Sequence, residues 1–407
     1  MGPAKASRRA RAVPAFIAPL LALALAACGS GAVKTSSGTS TTASGTTGTT
    51  GSGGSSTTTT SPPASSTASC ISSAAPSAGS SLTGVEFVSA GAGWAVGPGR
   101  ILATANGGAT WQMQLSGSQH FGSVDFISAS DGWVVSKTHL LVTTDGGACW
   151  KYAGEPQAPL RSVHFVSPSV GWGVSGGPVE VPTPSGPGVG SGGTLVKTTN
   201  GGASWSAVGT APSGAQGVCF VNSTRGWLTA QDAVYSSQDG GASWQRVYAI
   251  PTRGPVATSV QCAAPSGVWV LAASGEAAAG TSPWAVFSSQ DGTSFHPVVS
   301  VMFYNLKSAL APGSYPGAIS AISPSEAAIL GFTPAINPNP GGLSMASSSG
   351  ATARTALTGP LAIPSAASFV SNSQGWVVGV GQSKASTGYI EHTADGGASW
   401  SLQYTVP

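Results

Sequence analysis

The chain has 407 residues, enough to bury a large core, yet only 7% of them are charged, against about 25% in ordinary soluble domains. Its formal charge of +3 is misleading, because Lys5, Arg8, Arg9 and Arg11 all lie in the first eleven residues. Sixteen bases less these four leave twelve, against 13 acids, so no basic footprint for a nucleic acid survives. In chain order, the basic residues come first and an apolar run from Val13 to Ala27 follows, the arrangement of an export signal. Its roughly 15 apolar residues, broken by Pro14 and Pro19, fall short of the about 20 needed to span a bilayer.

The run ends in "LAAC", Leu25 to Cys28. This resembles the lipobox of bacterial lipoproteins, an aliphatic residue and two small ones before Cys. The resemblance implies removal of residues 1–27, a diacylglycerol on Cys28, and a protein held on the outer face of the bacterial cytoplasmic membrane. The alternative is an ordinary cleaved signal followed by a chance cysteine. From Gly29 to about Ser69 the chain is Ser, Thr and Gly, too poor in apolar side chains to fold. Residues 28–81 therefore read as a lipidated Cys and a disordered stalk with a reach of roughly 35 Å, its Thr-rich tract open to O-glycosylation. Beyond Cys28 the cysteines are Cys70, Cys149, Cys219 and Cys262. Two disulfides in any of three pairings or four buried thiols are both open.

Residues 82–407 are a repeat. "TANGGATW" at Thr104 recurs as "TTDGGACW" at Thr143, "TTNGGASW" at Thr198, "SQDGGASW" at Ser237 and "TADGGASW" at Thr393. "SQDGTSF" at Ser289 is shortened and "SSSGATAR" at Ser347 is decayed. A second signature precedes each copy, as in "VEFVSAGAGWAV" at Val85 and "VDFISASDGWVV" at Val124. The seven units are 39 to about 58 residues long. Each contains four short runs with period-2 alternation, separated by turn residues, which argues strands. In the second unit the runs are Val124 to Ile127, Trp133 to Ser136, His139 to Thr144 and Trp150 to Tyr152. Repeats of this length with four strands each predict an all-β, seven-bladed β-propeller of four-stranded antiparallel blades. Each unit starts at the innermost strand and ends at the outermost, so the last blade can be completed by its own "WSLQYTV" and no strand exchange between the termini is required.

The units resemble the Asp-box (BNR) repeat family, Ser/Thr-x-Asp-x-Gly-x-x-Trp. The longer pattern Gly93 to Trp111 is similar to the propellers grouped with photosystem II assembly and stability factors. Sialidases, sortilin-type receptors and some endoglucanases also carry Asp-boxes, so the motif marks a fold more than a function. The resemblance implies that Asn106, Asp145, Asn200, Asp239, Asp291 and Asp395 cap β-hairpin turns. An amide at two of these positions suits a turn cap and suits a cation ligand or general acid poorly, and a Ca²⁺ loop pattern is absent. No motif asks for a metal or a cofactor.

Function is then sought where the units differ. Insertions fall in the second-to-third loops at Gly176 to Gly193, Gly275 to Pro283 and Thr333 to Gly342, and in the link from about His296 to Gly317. By propeller topology these share one face. Tyr248, Arg253, Trp284, Phe303, Tyr304 and Tyr315 are the candidate binding anchors there, with a small plug over the ring as the alternative for Met302 to Leu306. The middle of the first strand is Glu86, Asp125 and His164 in units 1 to 3, then Cys219, Gln261, Ser320 and Ser368. These first three are weak candidates for acid–base catalysis or, with His164, for holding a cation, set against a polar row facing channel water. The favoured reading is a membrane-anchored, monomeric scaffold that docks an envelope protein, peptide or glycan. The alternative is a sialidase-like or other glycoside hydrolase. Against it stand six arginines in the propeller, one in a decayed box, and no Phe-Arg-Ile-Pro signature.

Overall fold

The computed structural model describes residues 69–76, 79–154, 159–176, 192–252, 254–274, 281–303, 306, 311–333, 341–347, 350–381 and 387–407. They form strands and no helix. The first sheet contains β1 (Gly84–Phe87), β2 (Gly93–Thr104), β3 (Gln112–Phe126), β4 (Gly132–Ser136), β5 (Leu140–Thr143) and β6 (Lys151–Tyr152). The second contains β7 (Leu160–Phe165), β8 (Gly171–Ser175), β9 (Thr194–Thr198) and β10 (Ser206–Ala207). The third contains β11 (Ala215–Phe220), β12 (Gly226–Ala230), β13 (Ala233–Ser237) and β14 (Gln245–Ala249). The fourth contains β15 (Val256–Ala263), β16 (Gly267–Ser274), β17 (Trp284–Ser289) and β18 (His296–Val301). The fifth contains β19 (Tyr315–Ser323), β20 (Glu326–Phe332), β21 (Gly342–Ser347) and β22 (Gly350–Ala356). The sixth contains β23 (Leu361–Phe369), β24 (Gly375–Gly381), β25 (Gly388–Thr393) and β26 (Ser401–Thr405).

All pairings are antiparallel between sequence neighbours, as in a propeller. The expectation of seven separate blades is corrected to six sheets. The cause is β3, which runs without a break from the outer edge of the first repeat, against Ile101 and Leu102, into the inner edge of the second, against Trp133 and Val134. Two repeats therefore share the first sheet. The ring closes without strand exchange, since the sixth sheet is built from C-terminal residues alone. First strands touch in sequence, β1 to β3, β7, β11, β15, β19 and β23, and β23 returns to β1.

An aromatic ladder explains why the signatures repeat. In four of the repeats the Trp of the second strand lies flat on the Phe of the next repeat's first strand: Trp94 on Phe126 at 3.5 Å, Trp133 on Phe165 at 3.6 Å, Trp172 on Phe220 at 3.5 Å, and Trp376 on Phe87 at 3.5 Å across the closure. After Trp227 and Trp269 the Phe position is held by Cys262 and Ala321. Each indole N–H donates to a turn carbonyl of that next repeat, Trp94 to Gly146 at 3.1 Å and Trp376 to Gly107 at 3.1 Å. The box Trp then meets the same Phe edge-on, as Trp111 does Phe87 and Trp150 does Phe126. Stacked and edge-on pairs each add about 0.5–1.5 kcal/mol beyond the area they bury. The Gly that precedes five of these Trp residues is required by space. A side chain at Gly93, Gly132, Gly171, Gly226 or Gly375 would overlap the Phe ring of the paired first strand.

The folded chain also starts before Leu82. Residues 69–76 are docked on the first sheet, with Ile71 N donating to Trp150 O at 2.8 Å and Ala74 N to Ser116 O at 2.8 Å. Two disulfides are present, Cys70–Cys149 and Cys219–Cys262, one of the three pairings left open by the sequence.

Candidate functional site

The box turns come first, because they carry most of the acids. In each full copy the two glycines take the left-handed φ that a side chain resists, for example Gly107 at 68° and Gly108 at 88°. The residue two before the acid caps the turn: Thr104 Oγ1 accepts from Gly108 N at 2.9 Å. The acid or amide oxygen accepts from that hydroxyl and from the backbone four residues on. Asn106 Oδ1 takes Thr110 N at 2.9 Å, Asp145 Oδ1 takes Cys149 N at 2.9 Å, and Asp239, Asp395 and Asn200 repeat the bond. Asp291, in the shortened box, takes Thr293 N and Ser294 N at 2.7 Å. Asp and Asn interchange because the Ser or Thr hydroxyl reverses its role. It donates to Asp239 and Asp395, and it accepts from the amides of Asn106 and Asn200. The Ser243 hydroxyl holds Asp239 at a pKa of about 2, and the Ser399 hydroxyl does the same for Asp395. Backbone amides lower Asp145 and Asp291, that of Cys149 for the first and that of Ser294 for the second. These side chains spend their oxygens on their own turns. Among the described residues, no three His, Cys, Asp or Glu side chains converge as a metal site.

The inner column Glu86, Asp125 and His164 does not face channel water. These residues are 1%, 1% and 7% exposed. Each reaches sideways to the next repeat. Glu86 Oε2 accepts from Phe126 N at 2.8 Å, Asp125 Oδ2 from Phe165 N at 2.7 Å, and His164 Nε2 lies 2.7 Å from Phe220 O. Gln261 bonds Ala321 N and Ile319 O, Ser320 accepts from Phe369 N, and Ser368 accepts from Phe87 N. The one remaining joint is covalent. Cys219 holds the same column position and is bonded to Cys262, the residue that follows the column in the next repeat. The column is thus a closed set of joints between repeats, and its two carboxylates are committed to that task. A water-facing polar row was expected because the strand pattern places these residues near the axis. The pattern is silent on which way the side chain turns.

The expected binding anchors divide three ways. Trp284, Phe303 and Tyr315 are core residues with 0%, 0% and 1% exposure. Tyr248 is half-buried and stacks on Phe295. Arg253, Tyr304 and Cys28 lie outside the described residues, as do most of the loop insertions. His296–Val301 is a strand rather than part of the link. Among the described residues of the link, the exposed one is Met302, at 74%, in a left-handed backbone conformation with φ 49°. The buried Phe303 beside it meets Phe287 edge-on.

One buried acid was missed. Glu391 on β25 is fully buried, with Oε1 accepting from Leu361 N at 2.8 Å and, among the described residues, no partner for Oε2. Burial pushes its pKa up to about 7. Alignment of the third strands could have found it, since the equivalent residues are Leu102, Leu141, Val196, Tyr235, Phe287 and Met345.

Comparison with known proteins follows this geometry. Residues 72–166 match the family described as photosynthesis system II assembly factor YCF48. A search of curated proteins finds no match. Among solved structures, YCF48 bound to a D1 peptide aligns at 14% identity over 73% of this chain and 90% of that one, with a TM-score of 0.46. An ancestral GH74 enzyme aligns at 14% identity over 83% of this chain, with a TM-score of 0.55. The chain spans 48% of that enzyme's length, and the likeness is one of fold. The protein is a BNR-type β-propeller that resembles the photosystem II assembly factors.

Proposed function

We propose that this protein is a lipid-anchored, extracytoplasmic scaffold that binds a protein or peptide on the face carrying its blade-to-blade links. The observation that carries this reading is Met302. A large apolar side chain is held 74% exposed by a backbone that non-glycine residues avoid, at a cost of about 1–3 kcal/mol. Its neighbour Phe303 is locked in the core. Strain of this kind persists where the surrounding structure enforces it, commonly at ligand clamps. An apolar anchor on a rigid frame suits a pocket on a polypeptide. A glycan surface would call for exposed aromatic faces, and Trp284, Phe303 and Tyr315 are buried. The family match names an assembly factor, and assembly is a binding task. The lipobox supplies the anchor at Cys28, on the outer face of the bacterial cytoplasmic membrane.

A photo-crosslinking residue at Met302 is expected to capture a discrete envelope protein or peptide, while the same residue at Ser130, on the Asp-box face, captures none. Equal capture at both positions, or none at either, overturns the reading. The anchor is tested separately: Cys28→Ala should lose incorporated fatty acid and leave the membrane fraction.

A further inference from the structure

The two disulfides sit in opposite surroundings. Cys219 and Cys262 are 2% and 5% exposed and belong to the joints of the inner column. Cys70 is exposed and Cys149 half-exposed, at the outer rim of the first sheet. Cys149 also stands where other boxes have a hydroxyl. Thr110, Ser204, Ser243, Ser294 and Ser399 all bond the box residue of their own turn through that hydroxyl. Asp145 keeps the backbone bond from Cys149 N, and Gly147 N still donates to Thr143 Oγ1. The turn therefore does not need the cysteine, and the side chain is turned outward to Cys70 instead.

What the bond holds is a short strap. Residues 69–76 bridge the outer strand of the first repeat and the box turn of the second. Apart from the disulfide, the strap is held by Ile71 N to Trp150 O, by Ala74 N to Ser116 O, by the Ser116 hydroxyl to Ala74 O at 2.7 Å, and by Ser116 N to the Ser73 hydroxyl at 3.3 Å. Ile71 packs, partly buried, against the core cluster that contains Leu115 and Trp150. A few bonds at an exposed edge are worth about 0.5–1.5 kcal/mol each and must offset the entropy of ordering the segment.

We propose that Cys70–Cys149 is a thiol–disulfide exchange site at which a dithiol reductant releases the N-terminal strap from the propeller, leaving the ring intact. A thiolate of the dithiol attacks the exposed Cys70 sulfur and expels the Cys149 thiolate, which takes up a proton. The second thiol of the reductant then attacks the mixed disulfide and expels Cys70. Two electrons pass from the dithiol, which becomes a disulfide, to the two cysteines, which become thiols. Access selects the site, because exchange requires the attacking thiolate to reach a sulfur. Release uncovers the edge of β3 around Ser116 and frees residues 69–76 to extend the N-terminal segment. The inference does not depend on what Met302 binds.

The test titrates the full-length oxidised protein with dithiothreitol, traps thiols by differential alkylation and reads each cysteine by mass spectrometry. Hydrogen exchange is followed in parallel. Cys70 and Cys149 should become alkylated at a reductant concentration at least tenfold below that needed for Cys219 and Cys262. Exchange at the Ile71 and Ala74 amides should then accelerate at least tenfold while Val124 and Phe126 stay protected. Cys149→Ser, which restores the hydroxyl of the other boxes, should release the strap without reductant, and Cys70→Ser should do the same. Simultaneous reduction of both disulfides, or a strap that stays protected after reduction or in both variants, overturns the proposal.

Discussion

Glu391 makes the stability of the propeller depend on pH in a direction opposite to that of most carboxylates. Burial raises its pKa from 4.5 to about 7 in the folded protein. Below pH 4.5 it is protonated whether the chain is folded or not, and the shift has no effect. Between 4.5 and 7 the unfolded chain gives up the proton and the folded one retains it, so stability falls as pH rises, by up to about 1.4 kcal/mol per unit. Above 7 both states are ionised and the loss levels off. A shift of about 2.5 units corresponds to about 3 kcal/mol. His392, its neighbour, works the other way: burial lowers its pKa, so it adds stability as pH rises towards its unfolded value near 6.5. Comparison with Glu391→Gln removes that contribution, because His392 is common to both proteins. The amide keeps an acceptor for Leu361 N and stays neutral; any cost of its unpartnered NH₂ is the same at every pH. Urea denaturation of the oxidised protein at pH 5, 6, 7 and 8 should show the variant gaining on the wild type by about 2.5 kcal/mol across the series, the rest of the loss falling below pH 5. Parallel curves for the two proteins would refute the assignment of a buried, unpaired carboxyl.

Other substitutions probe the frame. Trp172→Ala removes the stack on Phe220 and the 3.2 Å bond to Gly240 O; it should cost about 3–5 kcal/mol in denaturant unfolding. Gly132→Ala drives a methyl into the Phe126 ring and should cost about 1–3 kcal/mol, read as a fall in the unfolding midpoint. Asn106→Asp and Asp239→Asn should each change stability by less than about 1 kcal/mol, because the hydroxyl partner reverses its role, and a chelator should leave the melting temperature unchanged. Cys219→Ser opens the 43-residue disulfide loop and should cost about 2–4 kcal/mol, measured by calorimetry.

Much of the molecule was legible from one strand outward. The Asp-box glycines, the Phe and Gly-Trp signatures and the period-2 runs are local patterns, and the sequence alone determined from them the all-β repeat and the propeller class, while the resemblance to Asp-box repeats implied the role of the boxes as turns. What lies between repeats was decided only by the tertiary structure. Glu86 and Asp125 look like channel carboxylates until the Phe126 and Phe165 amides, 40 residues away in sequence, are seen to claim them. Trp284, Phe303 and Tyr315 look like surface anchors until the neighbouring sheets bury them, and β3 runs through a boundary that the repeat spacing marks as a break. The disulfide pairing and the docking of residues 69–76 belong to the same class. A side chain's periodicity is set by its own strand, whereas its burial and its hydrogen-bond partner are supplied by whatever the fold brings against it.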